Sequence, residues 1–343
     1  MPTRVVTFGE IMLRLSPPGF ERLLQSPMLV ATFGGGEANV AVSLAQFGLE
    51  SDYVTRLPAN AIGDAAIRAL RAEGVNTSHV ARGGSRVGIY YAETGASQRA
   101  STVLYDRASS AISEIPEDAV DWNAVMRGAA WFHVTGITPA LGEKGAAATK
   151  ASVAAAKRAG ARVSVDLNYR KKLWTQTQAQ AVMRPLMRDV DVVIANEEDL
   201  QAVLGVHVAG ADVTSGTLDV DAYRKAAEVV TKDLGPSMVA ITLRESLSAS
   251  DNGWSAVLWD APSGTLHQSQ HYAVRLVDRI GGGDSFAAGL IYGLVTGRSH
   301  ADALKFAVAA SALKQTIPAD FNRVSVAEVD ALAKGDASGR VQR

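Results

Sequence analysis

The chain has 343 residues, a net charge of −1, no cysteine and 20% charged residues. This charge balance argues against a nucleic-acid-binding protein, and the lack of cysteine excludes disulfides and thiolate metal sites. A hydrophobic content of 47% is typical of a globular protein with one large domain or two ordinary ones. The N-terminus does not resemble a signal peptide, and no apolar run approaches the ~18 residues that span a bilayer. We therefore expect a cytoplasmic protein without membrane partners.

The first half of the chain predicts core elements and a separate hairpin. Core strands are predicted at 4–9 and 52–57, and a helix ending at residue 47 lies between them. Residues 11–33 combine short apolar runs with three prolines, which predicts short strands outside the core sheet. Two strand-like runs, 86–93 and 101–107, flank Thr94-Gly95-Ala96 and predict a β-hairpin.

From residue 131 onward, strand patterns alternate with helix patterns. Strands are predicted at 131–135, 162–166, 190–195, 238–243, 255–259 and 271–274. Helices are predicted at 143–159, 177–187, 220–232, 284–295, 301–315 and 326–333. This alternation implies parallel βαβ units with helices on both faces of the sheet. We expect a single α/β domain at 1–334 with a doubly wound, mostly parallel sheet, followed by a flexible tail at 335–343.

Three consecutive glycines, Gly281, Gly282 and Gly283, run into Asp284 at the start of a predicted helix. Glycines let the backbone approach a ligand, and free N–H groups at a helix start favour an anion. A carboxylate there can accept a proton from a hydroxyl while the N–H groups hold the charge of a transferring phosphoryl group. Asp284 is therefore a candidate general base. The local pattern is equally consistent with a glycine turn capped by an aspartate.

A second glycine-rich turn, Gly34-Gly35-Gly36, opens the helix that carries Asn39. It matches neither the phosphate loop G-x-x-x-x-G-K-[ST] nor the dinucleotide motif G-x-G-x-x-G. Taken alone, it is best explained as a turn between a strand and a helix. The sequence contains no H-E-x-x-H and no G-x-S-x-G motif, which argues against a metalloprotease and a serine hydrolase.

Polar residues follow several predicted strands, at the sheet edge where ligands bind in open α/β sheets. Arg170 follows one strand, and its planar guanidinium suits a phosphate or a carboxylate. The segment Asn196-Glu197-Glu198-Asp199 follows the next strand and is also consistent with a helix cap. Thr242 and Arg244 lie at the end of a third strand.

Both glycine segments carry a family resemblance. Residues 278–289 resemble the D-T-x-G-A-G-D signature of the ribokinase-like (phosphofructokinase-B) sugar kinases, with Asp278, Gly281, Gly283 and Asp284 in matching positions. Arg279 stands where threonine is common, which leaves a monovalent-cation site near this loop open. Residues 34–39 resemble the G-G-x-x-x-N signature of the same family, and the two signatures occur in the family's order.

The resemblance implies a ribokinase-like fold, an ATP- and Mg²⁺-dependent phosphotransferase with an alcohol acceptor, and a small β-lid formed by segments 11–33 and 86–107. Asp284 would be the base, and Gly281, Gly282 and Gly283 the anion hole. The implied sugar contacts are Gly34, Gly35, Gly36, Asn39, Tyr90, Tyr105, Arg107, Arg170 and Asp284. The implied nucleotide contacts are Asn168, Arg170, Asn196, Thr242, Arg244, Gly253, Gly281, Gly283 and Asn322. Mg²⁺ would arrive with ATP and reach Asp199 or Glu198 through water, without a direct protein ligand.

Within this family, the chain is similar to the kinases of 2-keto-3-deoxygluconate, a sugar acid. The similarity lies at residues 8–10, 90, 105–107, 166–170 and 242–246. A carboxylate enclosed under a lid needs a cation, and Arg107 is the candidate. A fructokinase- or ribokinase-type kinase of a neutral sugar is the alternative. A non-catalytic sugar-binding protein is a second one, although such a protein has no need for a base at Asp284. We also expect a homo-oligomer assembled through the lid and no nucleic-acid partner.

Overall fold

The computed structural model describes residues 3–208, 220–336 and 339. The tail expected to be flexible therefore lies outside the described residues except at 335, 336 and 339. The described chain forms a large sheet with helices on both faces and a separate four-stranded sheet. None of the helices in these ranges combines the length and the apolar character needed to cross a membrane.

The large sheet has ten strands in the order β13-β12-β11-β10-β9-β8-β1-β4-β5, with β14 also paired to β12. Its strands are β1 (Arg4–Phe8), β4 (Glu50–Leu57), β5 (Val80–Arg82), β8 (Trp131–Thr135), β9 (Arg162–Asp166), β10 (Val192–Ala195), β11 (Met238–Ser246), β12 (Asp251–Asp260), β13 (Thr265–Gln268) and β14 (Tyr272–Arg275). The seven strands from β11 to β5 are parallel, so their carboxyl ends meet at one edge.

The last three strands correct one expectation. The segments predicted at 255–259 and 271–274 belong to β12 and β14; β12 runs antiparallel to β11, and β14 pairs antiparallel with β12. The sequence also missed β13 and the three-residue β5. Hydrophobic alternation indicates a strand but carries no information on its direction, and short hairpin connections place β12 to β14 beside one another.

Eleven α-helices accompany these strands in the described chain. They are α1 (Gly36–Gln46), α2 (Ala61–Ala72), α3 (Trp122–Met126), α4 (Ile137–Ala140), α5 (Glu143–Arg158), α6 (Gln176–Leu186), α7 (Glu197–Asp199), α8 (Val220–Leu234), α9 (Gly282–Val295), α10 (His300–Lys314) and α11 (Val326–Ala333). A 3₁₀ turn at Met187–Asp189 follows α6, and a π-helical stretch at Leu200–Leu204 follows α7.

The core consists of two apolar layers, one on each face of the large sheet. Phe132 on β8 packs in one layer with residues of α5 and α6, whereas its neighbour Trp131 packs in the other with residues of α9 and α10. Every residue of β8 is buried. Because successive side chains of a strand point to opposite faces, a central parallel strand is apolar on both sides, which explains the nearly continuous apolar runs in the sequence.

The four-stranded sheet has the order β3-β2-β6-β7. Its strands are β2 (Met12–Ser16), β3 (Val30–Gly34), β6 (Gly88–Glu93) and β7 (Thr102–Asp106). They come from the two segments that the sequence predicts to form a lid, and we refer to this sheet as the lid. Tyr90 on β6 and Tyr105 on β7 are cross-strand partners with ring centroids 6.0 Å apart.

Candidate active site

A cavity of about 500 Å³ lies at the carboxyl edge of the parallel strands, with the lid along one side. The lid contributes Met12, Tyr90, Val103, Tyr105 and Arg107 to its lining. The glycine loop before α9 lines another side, and the segments that follow β9 and β10 line a third. The fold thus brings both glycine signatures to one cavity, although about 250 residues separate them.

Asp284 lies in the first turn of α9, and its carboxylate accepts a hydrogen bond from Asn39 Nδ2 at 2.7 Å. Burial disfavours the charged form and raises the pKa of Asp284 to about 6, although the hydrogen bond from Asn39 opposes this shift. Among the described residues, the carboxylate is therefore held by a neutral amide and forms no ion pair, and its pKa of about 6 lies close to neutrality. This combination suits a proton acceptor.

The glycines before Asp284 meet two different requirements. Gly281 has a φ of 86°, and a Cβ atom there would lie 2.2 Å from the carbonyl oxygen of Asp320, so only glycine fits. A Cβ atom at Gly283 would meet nothing within 4 Å, because this position faces open space. No backbone acceptor among the described residues takes the N–H groups of Gly283 and Asp284 at the start of α9. These donors make the loop a candidate anion site.

A network of buried polar side chains joins the lid to the floor of the cavity. Arg14 on β2 contacts Asp278 Oδ2 at 2.6 Å and Asp320 Oδ1 at 2.8 Å. Asp320 also accepts hydrogen bonds from Tyr90 Oη at 2.6 Å and from Asn39 Nδ2 at 3.3 Å. Asn39 thus contacts both Asp284 and Asp320, so the network reaches the candidate base.

Arg107, the cation expected to face a sugar acid, is paired within the protein. Its Nε donates to Glu10 Oε2 at 2.8 Å, and its Nη2 also contacts this oxygen. Glu10 is 2% exposed and accepts a further hydrogen bond from Ser110 Oγ at 2.6 Å. Arg107 nevertheless lines the cavity, and its guanidinium lies 5.3 Å from the centre of the Tyr105 ring. The pairing with Glu10, which follows β1, fixes the orientation of the guanidinium.

Several carboxylates collect beyond β9 and β10. Asp199 accepts hydrogen bonds from the backbone N–H of Tyr169 at 2.8 Å and of Asn196 at 3.3 Å, and burial raises its pKa to about 6. Burial and the nearby charges of Asp199 and Asp284 raise the pKa of Asp166 well above its ordinary value. Glu198 is exposed and lines the cavity. The raised pKa values mean that the protein leaves the charged forms of Asp166 and Asp199 poorly compensated, and a bound cation would stabilise them.

The segment after β9 also supplies two predicted contacts, Asn168 and Arg170, both of which line the cavity. Asn168 has a φ of 41°, a conformation that asparagine adopts more readily than most residues. Arg170 is exposed and donates to the carbonyl oxygen of Tyr169, so most of its donors face outward. These residues are placed to meet a ligand without displacing a structural contact.

Arg244 at the end of β11 and Arg279 in the glycine loop line the same part of the cavity. Burial and repulsion from Arg244 lower the pKa of Arg279. Its Nε is buried without a hydrogen-bond partner among the described residues. Two arginines that repel one another, one with an unsatisfied donor, favour an anionic ligand at this end of the cavity.

The structure keeps three predicted contacts away from the cavity. A Cβ atom at Gly34 would lie 2.1 Å from Asp320 Oδ2, and one at Gly253 would lie 2.5 Å from Glu245 Oε2 and His271 Nε2. Asn322 is buried and donates to Ser285 Oγ at 3.0 Å. These positions serve close packing and an internal hydrogen bond. The remaining predicted contacts line the cavity: Gly35, Gly36, Asn39, Tyr90, Tyr105, Arg107, Asn168, Arg170, Asn196, Thr242, Arg244, Gly281, Gly282, Gly283 and Asp284.

Sequence reasoning missed Arg14 and Lys314; it expected residues around Ala319 to Asn322 near the adenine but did not predict that Asp320 contacts Arg14 and Tyr90. Lys314 is fully buried in α10, where its Nζ lies 2.6 Å from the carbonyl oxygen of Ala319, 3.3 Å from that of Asp278 and 3.4 Å from that of Ile317, and also contacts that of Ile280. No local pattern marks these residues: the acidic partners of Arg14 are distant in sequence, and the partners of Lys314 are backbone carbonyl oxygens. Only the apolar surroundings of Lys314, unusual for a lysine, gave a signal.

A carboxylate at a helix N-terminus, a glycine loop with free N–H groups and arginines at the same sheet edge define a phosphotransferase of the ribokinase-like fold. The family model described as pfkB family carbohydrate kinase matches residues 2–317, and the chain belongs to this family. The fold and the family predicted from the sequence are thereby confirmed.

Three relatives show the range of the similarity. The chain is 33% identical to 2-dehydro-3-deoxygalactonokinase of Haloferax volcanii, over 99% of both chains. It is 26% identical to 5-dehydro-2-deoxygluconokinase of Shouchella clausii, over 90% of this chain and 88% of the relative. The crystal structure of 2-dehydro-3-deoxygluconokinase from Thermotoga maritima is 50% identical, with a TM-score of 0.93, and the match covers 97% of this chain and 100% of that one.

Proposed function

We propose that the protein transfers the γ-phosphoryl group of ATP to the terminal hydroxyl of 2-keto-3-deoxygluconate, which is also called 2-dehydro-3-deoxygluconate. The observation that carries this proposal is that Asp284, Arg107 of the lid, and the arginines Arg244 and Arg279 all line one cavity. The 50% identical relative from Thermotoga maritima bears the name of this activity.

In the proposed reaction, the Asp284 carboxylate accepts the proton of the sugar hydroxyl as its oxygen attacks the γ-phosphorus. The bond between the γ-phosphorus and the bridging oxygen of ATP breaks, and ADP leaves. The N–H groups of Gly283 and Asp284 donate to the phosphoryl oxygens, whose charge they stabilise. Asn39 keeps the Asp284 carboxylate oriented through the 2.7 Å hydrogen bond.

The lid end of the cavity would bind the sugar acid. Arg107 donates from Nε and Nη2 to Glu10, and its Nη1 donates no hydrogen bond to any of the described residues. That nitrogen remains to donate to the substrate carboxylate. The Tyr90 hydroxyl donates to Asp320, so Tyr90 would offer the sugar only the face of its ring. The hydroxyl of the half-exposed Tyr105 remains available for a hydrogen bond to the sugar. The acidic substrate thus meets a cation that the protein already holds in place.

The other end of the cavity would bind the nucleotide. Arg170, Arg244 and Arg279 suit phosphate groups, and Asn168, Asn196 and Thr242 supply polar contacts. The carboxylate oxygens of Glu198 and Asp166 would suit Mg²⁺, because this ion prefers oxygen ligands. When bound, Mg²⁺ would offset the charge of the phosphate groups. Both oxygens of Asp199 accept backbone hydrogen bonds, so Glu198 is the better placed of the two acids expected near the metal.

The lid would also mediate self-association. Ten large hydrophobic side chains are exposed among the described residues, and six of them belong to lid segments: Phe20, Leu24, Met28, Val30, Leu104 and Tyr105. An exposed apolar group of this kind is typical of a protein interface. We therefore expect two copies to pair through the lid.

A coupled assay of ADP formation tests the proposed substrate. We expect efficient turnover with ATP and 2-keto-3-deoxygluconate and little with fructose or ribose. The C4 epimer, 2-keto-3-deoxygalactonate, is the second candidate, because a 33% identical relative is named for it. Preference for a neutral sugar would refute the acid substrate, and no ADP formation with any of the four would refute a kinase of these sugars.

The variant R107A tests how the carboxylate is recognised. R107A would remove the cation that pairs with the substrate carboxylate. We expect kcat/KM for the acid sugar to fall by an amount that corresponds to about 2–5 kcal/mol of lost transition-state stabilisation. Any residual activity on a neutral sugar should change much less. The E10Q variant is the matched control, because it removes the negative charge that pairs with Arg107 and keeps the guanidinium. Equal losses on both sugar types in R107A would show that Arg107 only shapes the lid.

A further inference from the structure

Three potential metal ligands converge at the edge of the large sheet opposite the cavity. Asp260 is the last residue of β12, His267 lies on β13 and His300 is the first residue of α10. Their ligand atoms all lie within 4.8 Å of one another. Asp260 pairs with Met238, the first residue of β11, which places this cluster at the amino ends of the parallel strands. The candidate active site lies at their carboxyl ends.

Asp260 has an unsatisfied oxygen. The residue is 4% exposed, and its Oδ1 is buried without a hydrogen-bond partner in the described part of the chain. The other oxygen, Oδ2, accepts from Ser263 Oγ at 2.6 Å and lies 2.9 Å from His300 Nδ1. A buried carboxylate oxygen without a partner is costly, and a bound cation would remove that cost.

We propose that Asp260, His267 and His300 bind one divalent late transition-metal ion, with Zn²⁺ as the type case. Two imidazoles and one carboxylate suit Zn²⁺, whereas Mg²⁺ and Ca²⁺ prefer oxygen ligands alone. Three protein ligands leave a position for water. Both imidazoles are half-buried, so solvent ions can reach the cluster. The bound ion would tie the β12–β13 hairpin to the start of α10.

Zn²⁺ titration of the nucleotide-free protein tests the proposal, since ATP itself would chelate the metal. We expect one Zn²⁺ per chain by calorimetry and a higher melting temperature, because a ligand of the folded state stabilises it. H267A and H300A should each weaken binding by at least about tenfold, because losing even an outer-shell partner of a metal ligand costs that much. Co²⁺ should give a visible absorption band that the same variants abolish.

The variant H207A is the matched control, because His207 is exposed and lies outside the cluster. Its Zn²⁺ affinity should equal that of the wild type. His267 makes no side-chain hydrogen bond among the described residues, so H267A should fold and retain its sugar kinase activity, which separates this test from that of the catalytic proposal. No Zn²⁺ binding to the wild type, or binding that H267A and H300A leave unchanged, would refute the site. The Asp260–His300 contact would then be a hydrogen bond that fastens α10 to the sheet.

Discussion

The hydrogen bond from Asn39 to Asp284 influences the pKa of the candidate base. A neutral amide orients the carboxylate but stabilises its charge less than an arginine or lysine would. Burial therefore dominates and raises the pKa of Asp284 to about 6. A carboxylate with this pKa is ionised at neutral pH yet basic enough to take part in proton transfer.

The variant D284N should lower kcat by about 10²–10⁴-fold, because asparagine keeps the size of the side chain and cannot accept the proton. Binding of ATP and sugar, measured by calorimetry, should change little. A D284N enzyme with nearly normal turnover would rule out Asp284 as the base.

The same assignment predicts a pH profile. The base must be ionised in the free enzyme, so kcat/KM should be constant above the pKa of about 6 and fall about tenfold per pH unit below it. Measurements between pH 5 and pH 8 in buffers of constant ionic strength would show this limb. A flat profile across that range would contradict the assignment.

Lys314 supplies a fixed positive charge beside the glycine loop. Its ammonium group lies among the carbonyl oxygens of Asp278, Ile280, Ile317 and Ala319, where burial lowers its pKa. Carbonyl oxygens arranged in this way are also ligands for a monovalent cation. We propose that Lys314 takes the place of such an ion, which the sequence alone left open.

Wild-type activity should therefore be equal in potassium, sodium and tetramethylammonium chloride at matched ionic strength. The variant K314A should lose activity, and potassium should partly restore it, because the freed carbonyl oxygens can then bind the ion. A wild-type enzyme that requires potassium would refute this role of Lys314.

At the scale of elements, β2 is fastened to the main domain by charge. Arg14 has a side chain that is 5% exposed and pairs with two carboxylates, on the glycine loop and on the segment after α10. Arg22 in the same lid pairs with Glu93, but its side chain is 67% exposed. The two arginines can therefore be compared directly, because the ion-paired side chain of Arg14 is buried and that of Arg22 is exposed to solvent.

The variant R14M should destabilise the protein by about 3–5 kcal/mol, since it leaves Asp278 and Asp320 buried without their cation. The control R22M should cost less than about 1 kcal/mol, as is usual for exposed ion pairs. Urea unfolding followed by circular dichroism measures both. Similar losses in the two variants would show that the buried network contributes no more than a surface pair.

The sequence predicted most elements of the main domain, because their signals are local. The helix pattern at 326–333 marked α11, and the apolar run at 131–135 marked β8. It could not predict that Arg107 pairs with Glu10, or that Gly34 and Asn322 are packed inside. Those facts depend on which distant segments meet, and one sequence contains no signal for such pairs.

At the scale of the whole molecule, the hairpin tip of the lid contacts the main domain. The N–H of Ser97 donates to Ser250 Oγ at 2.9 Å, and the N–H of Ala249 donates to the Ser97 carbonyl at 2.8 Å. These hydrogen bonds connect the lid to the loop between β11 and β12. Among the described residues, these are the two hydrogen bonds that join the tip of the lid to the main domain.

Such a tip should open in solution and close over substrate, which excludes water from the phosphoryl transfer. Limited proteolysis should cut the free protein within residues 94–101, and the sugar acid should protect this site. A cut in the main domain serves as the reference for protease activity. Equal rates of cleavage at the tip with and without every candidate sugar would argue against a closing lid.

The ion pair between Arg14 and Asp320 also has a consequence for biosynthesis. The two residues are 306 positions apart, so a ribosome must make almost the entire chain before Arg14 can meet its partner. Until then, Arg14 on the N-terminal lid strand β2 lacks its partner Asp320. The lid strands also expose an apolar surface that the last segment would cover. Contacts of such long sequence separation slow folding and expose intermediates to aggregation. Nascent chains that stop before residue 320 should therefore depend on chaperones and be removed by proteases.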